Sequence, residues 1–209
     1  MISAPRRLRA VLQALPTKTI HGPWSRVIGL HLLKGSAPGA ATGSPPQPLW
    51  PGGAALRGAR FTPKGGFGSL YLAADPVTAL HEVVSVFTPP GGPVFTLRTS
   101  PWVVITVEGV LSNVVDLTDT AVQRQLKTNV AELTGDWAYT QSTVGRAPTQ
   151  VLGQAAFDCG ILGFQYKSAR NIGGGDSMVV FTDHLANNNP SYLQVFDEHH
   201  NLTQRLPNP

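Results

Sequence analysis

Apolar and polar positions along this chain fall in short runs whose period changes often. Residues 6–15 carry apolar positions at helical spacing and end at Pro16, which predicts a short helix. Residues 19–33 are mostly apolar and β-prone around Trp24, Val27 and Ile28, and read as a strand. Leu70-Tyr71-Leu72-Ala73 reads as another. Asp75-Pro76 then supplies an N-cap followed by proline at the first helical position, so a helix is expected from there to about Phe87. Val77, Leu80, Val84 and Phe87 recur at helical spacing and form its expected buried stripe. Strands are predicted at 94–97, 102–107 and 113–117, helices at 121–133 and 149–157, and strands again at 161–166, 177–182 and 192–196. No internal repeat is present. Many short strands with a few interspersed helices predict an α+β fold, its mostly antiparallel sheet curved around a cleft.

Between residues 34 and 58 the periodicity is lost in Gly, Pro, Ser and Ala. A featureless loop of this length inside a compact domain is either functional or disordered. Lying just before the chemistry-bearing residues described below, it reads as a flexible flap rather than a domain linker. The 209 residues suffice for one substantial core, and 42% hydrophobic residues exclude global disorder. Charged residues are only 13%, while Gly (22) and Pro (18) are plentiful, which suits a loop-rich enzyme better than a bundle or coiled coil.

A net charge of +4 admits nucleic acid, an anionic small molecule or an acidic protein as partner. No basic run interleaved with aromatics supports the first, and Arg6, Arg7 and Arg9 read as a solvated helix face. Cys159 is the only cysteine, which excludes an intramolecular disulfide and a Cys-based zinc site. No signal-peptide pattern and no window near 18 apolar residues is found, so a cytoplasmic protein without membrane contact is expected. His81-Glu82 begins like a zincin helix, but position 85 is Ser. His199 and His200 read as solvated, and no metal is expected. P-loop and dinucleotide fingerprints are absent; Gly173-Gly174-Gly175 reads as a turn, although such a run could offer backbone N–H groups to a phosphate.

Three polar residues surround one strand–helix unit. Arg60 closes the loop-rich stretch, Tyr71 lies in the strand with Leu70 and Leu72 on the opposite face, and Glu82 falls on the helix away from its apolar stripe. Taken singly, each has a plain structural reading: a surface cation, a half-buried strand aromatic, a solvated helix charge. Lys167-Ser168-Ala169-Arg170, between two strands, likewise reads as a turn.

The ordered set, however, resembles the RES-domain family. Gly58-Ala59-Arg60-Phe61-Thr62-Pro63-Lys64-Gly65 is similar to the family's opening G-G-R-[WF]-[NT]-x-x-G, Tyr71-Leu72-Ala73 to its Y-L-A, and Ala79-Leu80-His81-Glu82 to its A-L-x-E. Asn113-Val114-Val115-Asp116-Leu117-Thr118 resembles its middle segment, and Ser168 stands where the family serine belongs. Ala59 replaces the second glycine, and Val27 stands where an aromatic often follows the family's early arginine, here Arg26. The resemblance implies an ADP-ribosyltransferase-like split β-sheet core with flanking helices over residues 19–197, between a helical extension (1–18) and a polar tail (198–209). It also implies a toxin that cleaves the nicotinamide–ribose bond of NAD by phosphorolysis or hydrolysis, or else transfers ADP-ribose to a protein. Its partner would be an Xre-like antitoxin. By the same resemblance Arg60, Tyr71, Glu82 and Ser168 are the catalytic set, with Arg26, Arg60, Tyr71 and Ser168 binding the dinucleotide; Tyr71 would act through its ring. The alternative from another class is a basic, non-enzymatic binding module with a degenerate cleft.

Overall fold

The computed structural model describes residues 5–84, 101–170, 175–199 and 202–208. The first half of the chain forms helix α1 (Pro5–Ala14), strands β1 (Lys18–His21) and β2 (Trp24–Gly29), helices α2 (Leu30–Leu33) and α3 (Gly52–Arg57), strand β3 (Ser69–Ala73) and helix α4 (Pro76–Val84). The second half forms strand β4 (Trp102–Asp116), helices α5 (Thr120–Leu126), α6 (Val130–Thr134), α7 (Trp137–Thr143) and α8 (Pro148–Asp158), and strands β5 (Gly163–Lys167), β6 (Asp176–Phe181), β7 (Tyr192–Phe196) and β8 (Thr203–Leu206).

The two strands expected at 102–107 and 113–117 are one 15-residue strand, β4. Its alternation changes phase at Asn113, whose φ of 57° is left-handed, a region asparagine tolerates better than most residues. Leu111 and Val114, three positions apart, therefore face the same core cluster, while Val115 faces the other. The side-chain amide of Asn113 holds the kink by donating to the Gly160 carbonyl (3.0 Å) and to Asn188 Oδ1 (2.9 Å). Along its length β4 pairs antiparallel with β2, β7 and β1, and parallel with β5. The order β2-β3-β6-β5-β4, with β2 also paired to β4, bends the sheet back on itself.

Each sheet face has its own core. One face (Phe61 beside it, and Val115, Phe164, Tyr166, Val179 and Phe181 on it) packs against Leu8 and Leu12 of α1, Val122 and Leu126 of α5, and Leu152 and Ala156 of α8. The N-terminal helix is thus part of this core. The other face gathers Trp24, Ile28, Leu70, Leu72, Ile105, Val107, Met178 and Val180.

Several expectations need correction. Residues 19–33 are two strands and a helical turn, interrupted at Gly22-Pro23, where proline has no N–H to give a ladder. Residues 121–133 are two helices because Lys127 caps the first in a left-handed conformation. Helix α7 and strand β8 were not anticipated, β8 lying in the segment read as a polar tail. The stretch 34–58 is no free flap: Leu49 is fully buried, Ala37 and Trp50 join the second core, and the Leu49 N–H donates to Gln204 Oε1 at 2.7 Å. The strand expected at 94–97 lies outside the described residues. Among those described, no helix is long and apolar enough to cross a membrane.

Candidate active site

Strand β3 sends Leu70 and Leu72 to one core and Tyr71 to the other. The Tyr71 hydroxyl accepts the Phe61 N–H at 2.9 Å and shares a hydrogen bond of 3.2 Å with Thr62 Oγ1. Thr62 Oγ1 in turn lies 2.5 Å from Ser69 Oγ. This chain of hydroxyls clips the segment Arg60-Phe61-Thr62 to the strand. Burial pushes the Tyr71 phenol up to about 12, against the pull of these hydrogen bonds and of Arg60.

From the other side the same segment lies on helix α8. Gln150, fully buried, donates from Nε2 to the carbonyls of Ala59 (3.0 Å) and Thr62 (3.4 Å), and accepts the Ala147 N–H on Oε1. Gly153 permits the closest approach, since a Cβ there would collide with the Phe61 carbonyl. Arg60 is 5% exposed, and its Nη1 donates to the carbonyls of Leu133 (2.9 Å) and Gly135 (2.8 Å) between α6 and α7. Nε and Nη2 make no hydrogen bond to any described residue.

Helix α4 begins where Asp75 caps it, accepting from the Thr78 N–H (2.8 Å) and the Thr78 hydroxyl (2.6 Å). Thr78 is fully buried and Ala79 nearly so, whereas Val77 and Leu80 of the expected stripe are 59% and 45% exposed. The helix is rotated so that Thr78 and, one turn on, Glu82 face inward. Phe87 lies outside the described residues. Glu82 Oε1 accepts the Ser168 hydroxyl at 2.5 Å; Ser168 Oγ also accepts the Arg170 N–H at 3.2 Å, and the Ser168 N–H is held by the Gly175 carbonyl at 2.8 Å. Ser168 follows β5, and two positions before it Tyr166 occupies the same strand face. Its hydroxyl lies within electrostatic reach of Glu82, Tyr71 and Arg60; burial first, and then Glu82, push its phenol well above the ordinary range.

Arg60, Tyr71, Glu82 and Ser168 are therefore gathered in one place, around Tyr166. Arg26 is not among them. It shares the sheet face of Trp24 and Ile28, and its Nη2 donates to the Trp50 carbonyl at 3.1 Å. Nη1 is buried with no hydrogen-bond partner among the described residues, and burial lowers the guanidinium to about 10. Tyr166 was missed in the sequence, as were Thr62, Ser69 and Gln150. The i, i+2 relation to Ser168 on a strand could have found Tyr166; Gln150 had no local signal. Two surface cavities, of about 260 Å3 between α1 and α8 and about 190 Å3 at the β1–β2 turn, include none of the four gathered residues. No group of His, Cys, Asp or Glu among the described residues could hold a metal ion.

The fold resembles that in the crystal structure of the M. tuberculosis MbcT–MbcA toxin–antitoxin complex. The TM-score is 0.64 at 21% identity, over 85% of this chain and 83% of that one. No curated protein matches the chain. The α+β architecture expected from the sequence, a mostly antiparallel sheet with flanking helices, is the one observed. The RES-domain model matches residues 36–200, a span that holds Arg60, Tyr71, Glu82 and Ser168 in order; the chain belongs to the RES-domain family.

Proposed function

We propose that the chain is the toxin of a toxin–antitoxin pair and cleaves the nicotinamide–ribose bond of NAD. The observation that carries this reading is the 2.5 Å hydrogen bond from the Ser168 hydroxyl to Glu82, which joins two of the four family residues from distant parts of the chain. Breaking this N-glycosidic bond sends its electron pair to the pyridinium nitrogen, so nicotinamide leaves neutral and needs no general acid. Positive charge develops on the ribose, as in glycoside hydrolysis. Glu82 stabilises that charge and accepts a hydrogen bond from a ribose hydroxyl. Ser168, its proton committed to Glu82, orients the carboxylate. Arg60 offers its unoccupied edge to diphosphate or ribose oxygens, and Tyr71 holds Arg60 in place while offering ring face to the nicotinamide. Positioning and fixed charge supply the acceleration. Arg26 lies on the other sheet face, where it donates to the Trp50 carbonyl.

The acceptor is a small anion, inorganic phosphate, whose oxygen bonds to the anomeric carbon as nicotinamide departs, with hydrolysis as a slower background. The net charge of +4 favours approach of an anion. The toxin–antitoxin pairing of the structurally similar MbcT–MbcA complex supports an antitoxin partner here, and an Xre-like protein fits the family. The test is mass spectrometry of NAD incubated with purified protein, with and without phosphate. ADP-ribose-1″-phosphate appearing faster with phosphate is expected. Free ADP-ribose alone at saturating phosphate contradicts phosphorolysis, and ADP-ribose fixed on a protein from extract contradicts a small acceptor.

A further inference from the structure

Ala59 and Thr62 bond each other reciprocally, the Ala59 N–H to the Thr62 carbonyl at 2.8 Å and the Thr62 N–H to the Ala59 carbonyl at 3.2 Å. Arg60 and Phe61 are therefore the tip of a tight turn closed on itself. The two closing carbonyls converge on one side chain, the fully buried Gln150 of α8, whose Nε2 donates to them at 3.0 and 3.4 Å. The same nitrogen donates to Gln141 Oε1 of α7 at 2.7 Å, and Gln141 Nε2 donates to the Arg57 carbonyl at 3.1 Å. Gly58, at φ 80°, leaves room for this pair, since a Cβ there would collide with the Gln141 amide. Two glutamines thus hold backbone carbonyls on both sides of Arg60. Its guanidinium is fixed to the same helical unit, through Nη1 on the Leu133 and Gly135 carbonyls. Glu82 and Ser168 belong to α4 and the end of β5, outside that unit, so the place of Arg60 relative to them depends on how the turn is seated. The two bonds that close the turn do not involve Gln150, and its loss would shift the turn rather than open it. A shift of about 1 Å in a substrate-positioning group can slow a reaction by up to roughly a hundredfold.

We propose that Gln150, backed by Gln141, is a positioning residue for Arg60: it touches no substrate and acts on NAD cleavage only through the seat of the Arg60 turn. The proposal rests on the NAD reading and deepens it. Gln150→Met keeps the length of the side chain and removes its amide. In the full chain it should lower kcat/KM for NAD by roughly tenfold or more. Introduced into Arg60→Ala, the same change should alter kcat/KM by less than about twofold, because the group it positions is already gone. A merely structural role would cost the same factor in both backgrounds. Gln141→Ala, at a partly exposed position, repeats the cycle if Gln150→Met does not fold, with a smaller loss and the same dependence on Arg60. Equal losses in the two backgrounds, or a folded variant with unchanged kcat/KM beside a wild type that cleaves NAD, overturn the proposal alone. A folded wild type that does not consume NAD removes the NAD reading, and the proposal falls with it.

Discussion

Arg60 gives one guanidinium nitrogen to two backbone carbonyls, and its Nε and Nη2 make no hydrogen bond to any described residue. Lysine has a single ammonium and cannot present such a fork. Arg60→Lys should therefore lose nearly as much turnover as Arg60→Ala, about two orders of magnitude, in steady-state assays of NAD loss; a variant near wild type would reduce the residue to a point charge. Tyr71 changes meaning once its hydroxyl is seen. The sequence pointed to its ring, but the phenol oxygen accepts the Phe61 N–H and so holds the residue next to Arg60. Tyr71→Phe should accordingly cost turnover as well as Tyr71→Ala, and full activity in the Phe variant would return the role to the ring. The same phenol carries a pH signature. Its ordinary value of 10.0 is raised to about 12 in the fold, so its contribution to stability is intact below pH 10. That contribution is lost as the pH climbs toward 12 and the unfolded chain ionises first. Melting temperatures followed from pH 9 to 12 should fall less steeply in Tyr71→Phe than in the wild type.

Helix α8 forms the bed on which the Arg60 segment lies. Gly153 lets the Phe61 carbonyl lie against the helix, and Gln150 ties the flanking carbonyls down. Gly153→Ala should push the Arg60 segment off its bed and cost roughly 1–3 kcal/mol, the usual penalty for overpacking. A melting temperature several degrees lower, together with reduced turnover, is expected; an unchanged variant would show the approach to be dispensable. Elements of this kind mark the limit of what the sequence made legible. The site strand and helix could be read because their signals are local: alternation around Tyr71, and an Asp75-Pro76 start. The rotation of α4 could not be read, since the choice between burying Val77 and Leu80 or Thr78 and Glu82 is made by what packs against it. The continuity of β4 was hidden for a similar reason. Asn113 changes the phase of its alternation, and only pairing with β1 and β5 reveals one strand.

Across the whole molecule, the catalytic candidates come from four separated pieces of chain: the loop before β3, β3 itself, α4 and the end of β5. Their convergence depends on the sheet closing through β2, β3, β6, β5 and β4, so the site exists only in the complete fold. The Gly- and Pro-rich stretch 34–58 is anchored by Leu49; opening it as a lid would expose that side chain at about 1.5–3 kcal/mol. In the proposed reaction a Ser168-held Glu82 drives cleavage of the nicotinamide–ribose bond. The most direct test is nicotinamide release from NAD by the purified wild type and by Glu82→Gln, which keeps the shape but removes the charge. The wild type should release nicotinamide stoichiometrically with NAD loss, and the variant, folded and melting as the wild type does, should be slower by about two to three orders of magnitude. Near-normal release by Glu82→Gln, or none by a folded wild type, would contradict it.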